Sequence, residues 1–297
     1  MTSYILEQVR MIGGSEPVSI LVEEGIISAI RRSFPQYRFM RVDVSPFIMG
    51  PTHVFCDLDY PGYLMDQGSM DDFISKGCRT ILTAFHLEYE YRFEENWRGI
   101  KKTMESSPLD FIIGMKTTPQ RITPGIIRQC RCRKVPVIWT DIMDIDALLA
   151  VPWGWIREAL NHYPITFVPF FSTEPDTKTR EKHLRIWQNT MKSVKIPHIG
   201  LPIGQKVPLH DEVMKKIGIY PHRGILSPGR EISYNLYLEN DEEGDLLVQD
   251  TQLVLKCTMS KGESLFLDGR PIACQGKGEE IIIRTPGFFV EPTPYRL

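Results

Sequence analysis

The apolar positions of this chain recur with two different periods, and the change of period divides it into three stretches. Residues 1–49 carry a strand-like pattern. Within them "VSILVEEGIISAIRR" holds two β-rich runs on either side of Glu23-Glu24-Gly25, which predicts a hairpin. From about residue 50 to 205 apolar runs alternate with longer amphipathic segments. The runs are "HVFCDLD", "RTILTAFHLE", "DFIIGMKTT", "VPVIWTDIM", "ITFVPFFS" and "HIGLPIG", six strand candidates in all. Between them lie helix patterns with recognisable starts. Ser69 is placed to cap "MDDFISKG", with Gly77 at its end. Thr123 and Pro124 open "GIIRQCRCRK", and Thr177 opens "KTREKHLRIWQNTMKSV". Strand and helix in alternation predict a parallel β/α arrangement. Beyond about residue 220 the pattern returns to strand and turn.

Composition narrows this picture without changing it. The 297 residues are enough for one large core or two smaller ones. Lys and Arg number 35 against 37 Asp and Glu, so no basic surface is expected to hold nucleic acid or an anionic membrane. No apolar run reaches the roughly 20 residues that span a bilayer, and "MTSYILEQVRMIGG" lacks the basic and apolar regions of a signal peptide. Cys56, Cys78, Cys130, Cys132, Cys257 and Cys274 are scattered, as expected of reduced thiols in a cytoplasmic protein. Cys130 and Cys132 fall in a helix pattern, where residues two apart do not share a face, which argues against a ligand pair.

Four segments in order then resemble one known family. They are "ILVEEGIISAI" near the start, "GPTHVFCDLDYPG" at the first strand of the alternating stretch, "GIYPHRGILSPG" at its exit, and "DGRPIACQGKGEEIIIR" near the end. Together they resemble the dihydroorotase- and dihydropyrimidinase-like (hydantoinase) amidohydrolases. The resemblance implies an α/β fold in which the two chain ends form a small β-sandwich flanking a β/α (TIM-like) barrel. The expected domains are 1–49 with 222–297, and 50–221. A complete barrel typically needs about 250 residues. The middle stretch has only about 170, so an incomplete or distorted barrel is expected.

The resemblance also implies a two-metal centre, and the motifs for it are degenerate. The family places His-x-His at the end of its first barrel strand, where residues two apart point to one side. The matching positions here are Phe55 and Asp57, or His53 and Phe55 if two residues are inserted. The family's lysine has no counterpart in "VPVIWTDIMD", nor its next histidine in "ITFVPFFS". His198 stands at the wrong edge of the sixth run, and the strand for the late aspartate has no counterpart. No cofactor is therefore expected, with a single divalent metal as the alternative. Barrel active sites lie at the carboxyl ends of strands, and the residues there are Asp57, Asp59, His86, Glu88, Lys116, Asp141, Asp144 and Glu174. Asp57, Asp59, His86 and Asp141 are the site candidates. His86, Glu88 and Glu90 would share a face if their segment were extended. Asp141 and Asp144 can be an acid–base pair, or a cap and a loop anchor. So acidic a set would favour a cation or an amine. Trp153, Trp155, Trp187, Phe170 and Phe171 can be pocket lining or core.

Two functions compete on these grounds. One is a non-catalytic scaffold, partner or ligand-binding protein on an amidohydrolase-like fold. The other is an active hydrolase of carbon–nitrogen bonds other than peptide bonds, with a non-standard site. An incomplete barrel leaves apolar faces open, and such faces are usually covered by another subunit or a protein partner. Self-association is therefore expected. Sedimentation at micromolar concentration should return a species larger than the monomer, and a lone monomer would count against it.

Overall fold

The computed structural model describes residues 3–64, 67–240, 246–248, 251–272 and 278–287. Cys274 lies outside them. Contacts divide the chain into two compact units. One comprises Met1–Val54, Met65–Thr80 and His222–Gly276, and the other Phe55–Leu64, Ile81–Pro221 and Lys277–Leu297. The sequence reading draws its boundaries at 49/50 and 221/222, and the units divide the chain at 54/55, 64/65, 80/81, 221/222 and 276/277.

The first unit is built on strands from both ends of the chain. These are β1 (Tyr4–Met11), β2 (Val18–Glu23), β3 (Ile26–Arg31), β4 (Met40–Asp43) and β5 (Ile48–Pro51). The chain continues through β6 (His53–Cys56), β7 (Cys78–His86), β8 (Asp110–Thr117), β9 (Val137–Asp141) and β10 (Thr166–Phe170). It returns with β11 (Ser233–Asn240), β12 (Leu246–Val248), β13 (Thr251–Ser260), β14 (Glu263–Leu267) and β15 (Arg270–Pro271). The expected hairpin joins β2 to β3. Glu24 and Gly25 both take positive φ (53° and 77°), as a two-residue turn between twisted strands demands.

β1 ties two parts of this sheet together. Its first half, Tyr4 to Glu7, pairs with β4, and its last residues, Arg10 and Met11, pair with β5. The register with β2 slips between Leu6 and Val9, where Gln8 adopts φ 56°. A bulge of this kind lets one strand serve two sheet layers. β11 then docks antiparallel between β5 and β13, so the late strands extend the early ones. Leu6, Ile20 and Met49 share one core with Ile232, Tyr234 and Leu236. Burying each such side chain contributes about 1.5–3 kcal/mol.

A polar network crosses the strand joint. Asn235 on β11 is fully buried, and its amide donates to Gly77 O and to the Tyr237 hydroxyl, each at 3.1 Å. Its carbonyl accepts from Thr258 Oγ1 at 2.9 Å on the neighbouring β13. The Tyr237 hydroxyl meets His53 Nε2 at 2.8 Å.

In the second unit β6 to β10 form a five-stranded sheet in the order β10-β9-β8-β7-β6, with β8, β9 and β10 parallel. Five strands fall short of the eight that close a barrel. The sixth run of the sequence reading, "HIGLPIG", is not a strand. His198 makes only an isolated parallel bridge to Phe167. That contact still satisfies an edge, since Phe167 N donates to Pro197 O (2.9 Å) and Ile199 N to Phe167 O (2.8 Å). The same segment reaches the opposite edge a few residues later. There Lys206 N donates to Cys56 O (2.8 Å), and Pro208 bridges antiparallel to Phe55. Residues 197–208 thus cover both β10 and β6, where unpaired backbone groups would otherwise stand open.

The helices are α1 (Gln67–Ser75), α2 (Phe93–Met104), α3 (Pro124–Arg133), α4 (Ile145–Ala150), α5 (Trp153–Leu160), α6 (Thr177–Val194) and α7 (Asp211–Ile217). Two expected caps move. Ser69 lies inside α1, because the helix begins at Gln67. Asp176, not Thr177, caps α6, accepting from Thr179 N at 3.1 Å, since a cap must stand just before the first helical residue. Thr123 caps α3 as expected, accepting from Ile126 N at 3.2 Å. Cys130 is buried and Cys132 exposed, on different faces of α3.

Asn235→Ala should destabilise the protein by about 3 kcal/mol, because it removes three buried hydrogen bonds at the strand joint and leaves the Thr258 hydroxyl without the acceptor it now uses. Urea unfolding would check this, and a loss below about 1 kcal/mol would mean that the network carries little.

Candidate functional site

The two faces of the five-stranded sheet are set by alternation. On one face Phe85 packs edge-on against Phe93 and Trp97 of α2, Met115 meets Cys130 of α3, and Phe167 meets Trp153 of α5. The opposite face of β8, β9 and β10 carries Gly114, Lys116, Trp139, Asp141, Val168 and Phe170. In register, Lys116 pairs with Trp139, Val168 with Trp139, and Phe170 with Asp141. Gly114 is required there. A Cβ at this position would lie 2.4 Å from Trp139 Cζ3, so only glycine seats the indole against the sheet.

At the carboxyl ends of the strands the candidates are close in sequence position but differ in state. Leu87 N donates to Lys116 O (2.9 Å) and Thr117 Oγ1 to Leu87 O (2.8 Å), which sets the ends of β7 and β8 side by side. Asp57 follows β6 and is buried. Its carboxylate accepts from Asp59 N at 2.9 Å and from the Tyr63 hydroxyl, and Lys206 Nζ stands 3.9 Å away. Burial raises the Asp57 pKa above the usual aspartate value, against the opposing pull of Asp59 N–H and Lys206. Asp141 closes β9, and one of its oxygens accepts from Met143 N (3.0 Å) and Ser172 N (3.3 Å). It is a loop anchor, and Asp144 is the cap of α4, accepting from Ala147 N and Gln120 Nε2 at 2.9 Å each. Each carboxylate thus holds its own turn.

Asp59 and His86 are brought together. Both are exposed, and both line a shallow depression of about 500 Å³ with Asn96, Phe85 and Ile100. Asp57 and Asp141 do not line it. Glu90 leaves the expected row of His86, Glu88 and Glu90. The chain turns into a 3₁₀ helix at Glu90–Arg92, and Glu90 accepts from Thr123 Oγ1 at 2.8 Å. Glu174 pairs with Arg180. Lys116 reaches across the sheet and places Nζ 4.6 Å from the Phe170 ring centroid. The large aromatics divide: Trp187 is buried, with Nε1 donating to Ile199 O at 2.9 Å, while Trp155 stands exposed on α5.

These residues do not fit a two-metal centre. Phe55 is buried and has no donor atom. His53 is held by Tyr237, and burial lowers its pKa. His198 Nδ1 contacts Ile196 O at 2.9 Å. Among the described residues no three His, Cys, Asp or Glu side chains gather where they could hold a metal ion. The feature that sequence reasoning missed is Trp139 on the Lys116 face. Period-two alternation through "DFIIGMKTT" and "VIWTD" is the signal that could have found it.

No family model matches this chain, and no curated protein matches it. Solved structures match in fold. A D-hydantoinase superposes with a TM-score of 0.69 at 9% identity, covering 97% of this chain and 100% of that one. A D-hydantoinase from a Bacillus species gives 0.66 at 8%, covering 95% and 99%. A dihydropyrimidinase from Brevibacillus agri gives 0.57 at 9%, covering 98% and 100%. At such identity the likeness is one of architecture, and sites must be argued from their own residues.

The raised Asp57 pKa has a sign that can be measured. Its contribution to stability is fully present below the ordinary aspartate pKa and is lost as pH rises through the raised folded value. Asp57→Asn should therefore gain on the native protein as pH rises from about 3 to about 7. Paired denaturation curves at several pH values would check it. A difference that stays flat or runs the other way would contradict the burial argument.

Proposed function

We propose that this chain is a relative of the cyclic-amide hydrolases that binds a small molecule at the carboxyl ends of its parallel strands without the two-metal chemistry. The fold shared with hydantoinases and dihydropyrimidinases supports the kinship. The observation that carries the loss is the state of the strand-end carboxylates. Asp57 and Asp141 are engaged by protein donors, and Phe55 stands where the family would present a ligand. Each such hydrogen bond takes up part of the lone-pair capacity that a carboxylate would offer a metal or a proton. The protein is further proposed to be cytoplasmic and to work as a homo-oligomer or with a protein partner. No described helix is long and apolar enough to cross a membrane.

One observation favours a second reading. His86 and Asp59 are exposed and share a depression, so a hydrolase of carbon–nitrogen bonds could draw its acid and base from them. A single experiment separates the two. Purified protein is desalted, its metal content is measured, and it is assayed against dihydrouracil, hydantoin and N-acyl amino acids. The proposed reading expects fewer than two equivalents of divalent metal per chain and no turnover. Two retained equivalents of zinc, manganese or nickel would overturn it. Metal-free turnover abolished by His86→Ala would establish the second.

A further inference from the structure

Most charged side chains at the strand ends have protein partners, while the exposed Asp59 and Glu88 face outward. Asp57, Glu90, Asp141, Asp144 and Glu174 each hold a protein donor. Lys206 stands by Asp57 and over the Tyr63 ring. Lys116 differs from all of these. Among the described residues it has no ion pair and no hydrogen-bond acceptor, and its one specific contact is the face of Phe170. A cation–π contact attracts the ammonium but leaves its N–H groups unsaturated.

A second unmatched donor lies on the same face of the sheet. Trp139 is 1% exposed, and its Nε1 finds no acceptor among the described residues. Buried indole N–H groups usually have a partner, and one without calls for a bound water or ligand atom. Its direction is constrained. The indole sets Cζ3 against Gly114 of β8, and Nε1 lies on the opposite side of the ring system, turned away from that glycine. Lys116 pairs in register with Trp139 from β8, and its side chain extends to Phe170 of β10. Lys116, Trp139 and Phe170 therefore share one face of the sheet, with Lys116 and Phe170 half-buried and the indole buried.

We infer that this face is the seat of a small organic carboxylate, with Lys116 pairing the anion, Phe170 flanking its flat body, and the Trp139 N–H taking an oxygen or the water beneath it. The inference rests on the proposed ligand-binding role and names its ligand class. It replaces the cation or amine that an acidic set of strand-end residues would favour. A charge-assisted hydrogen bond from a half-buried lysine is strong enough to discriminate between an acid and its amide.

Benzoate and benzamide share shape and differ in charge, so they serve as probes. Calorimetric titration of the full chain should show benzoate bound about tenfold more tightly than benzamide. Lys116→Met should remove that preference and Lys116→Arg should keep it, with circular dichroism confirming that both variants fold. In the native protein the Trp139 indole resonance should move with benzoate. If benzamide binds as well as benzoate, the binding role of the strand ends stands and the carboxylate inference falls. If Lys116→Met keeps the preference, the anion is held elsewhere and the inference falls. If neither compound binds at millimolar concentration, both readings fall.

Discussion

A parallel sheet of five strands has two edges, and every backbone group on them must find a partner or face water. A closed barrel avoids this by joining its edges. Here β6 and β10 are the edges, and residues 197–208 answer for both. Pro197 and Ile199 bond β10, and Lys206 bonds β6. A segment that makes only isolated bridges therefore does part of the work of the absent strands. It also delivers Lys206 beside Asp57 and Gln205 Oε1 to Leu58 N. The closure of the sheet and the neutralisation of a strand-end carboxylate are consequences of one path of the backbone.

That path bears on function. In a barrel mouth built for metal, strand-end side chains would converge with their lone pairs free. In this chain the same positions are drawn into the protein's own hydrogen bonds. Asp57 takes the Tyr63 hydroxyl, Asp141 anchors two backbone amides, and Asp144 caps a helix. On the sheet face that carries Trp139, Lys116 contacts the Phe170 ring and no carboxylate among the described residues.

The sheet built from both chain ends obeys a similar economy. β1 changes partner at Gln8, so a single strand serves β4 and β5, and β11 completes the joint from the far end of the sequence. Asn235, Thr258, Tyr237 and His53 close the polar side of that joint. His53, which one alignment offers as a metal ligand, is a structural partner of Tyr237.

The sequence by itself determined the elements whose signals are local. The β2–β3 hairpin follows from Glu24-Gly25, α3 from Thr123-Pro124, and the strands β7 to β10 from apolar runs of the right length. Their order already implied strands at both ends and a parallel sheet between. It also placed Asp57, His86, Lys116 and Asp141 at strand ends, because a strand's end is readable from where its apolar run stops. Only the tertiary structure decided what those side chains do. Whether Asp141 is a base or a loop anchor depends on Met143 and Ser172 amides brought round by two separate loops. The fate of "HIGLPIG" depends on an edge of β10 that exists only once the sheet has formed. Trp139 and Lys116 share a face through a register that no single segment encodes. Local propensity acts over a few residues, whereas hydrogen-bond partners across strands are chosen by the fold as a whole, and in this protein the chemistry resides in those partners.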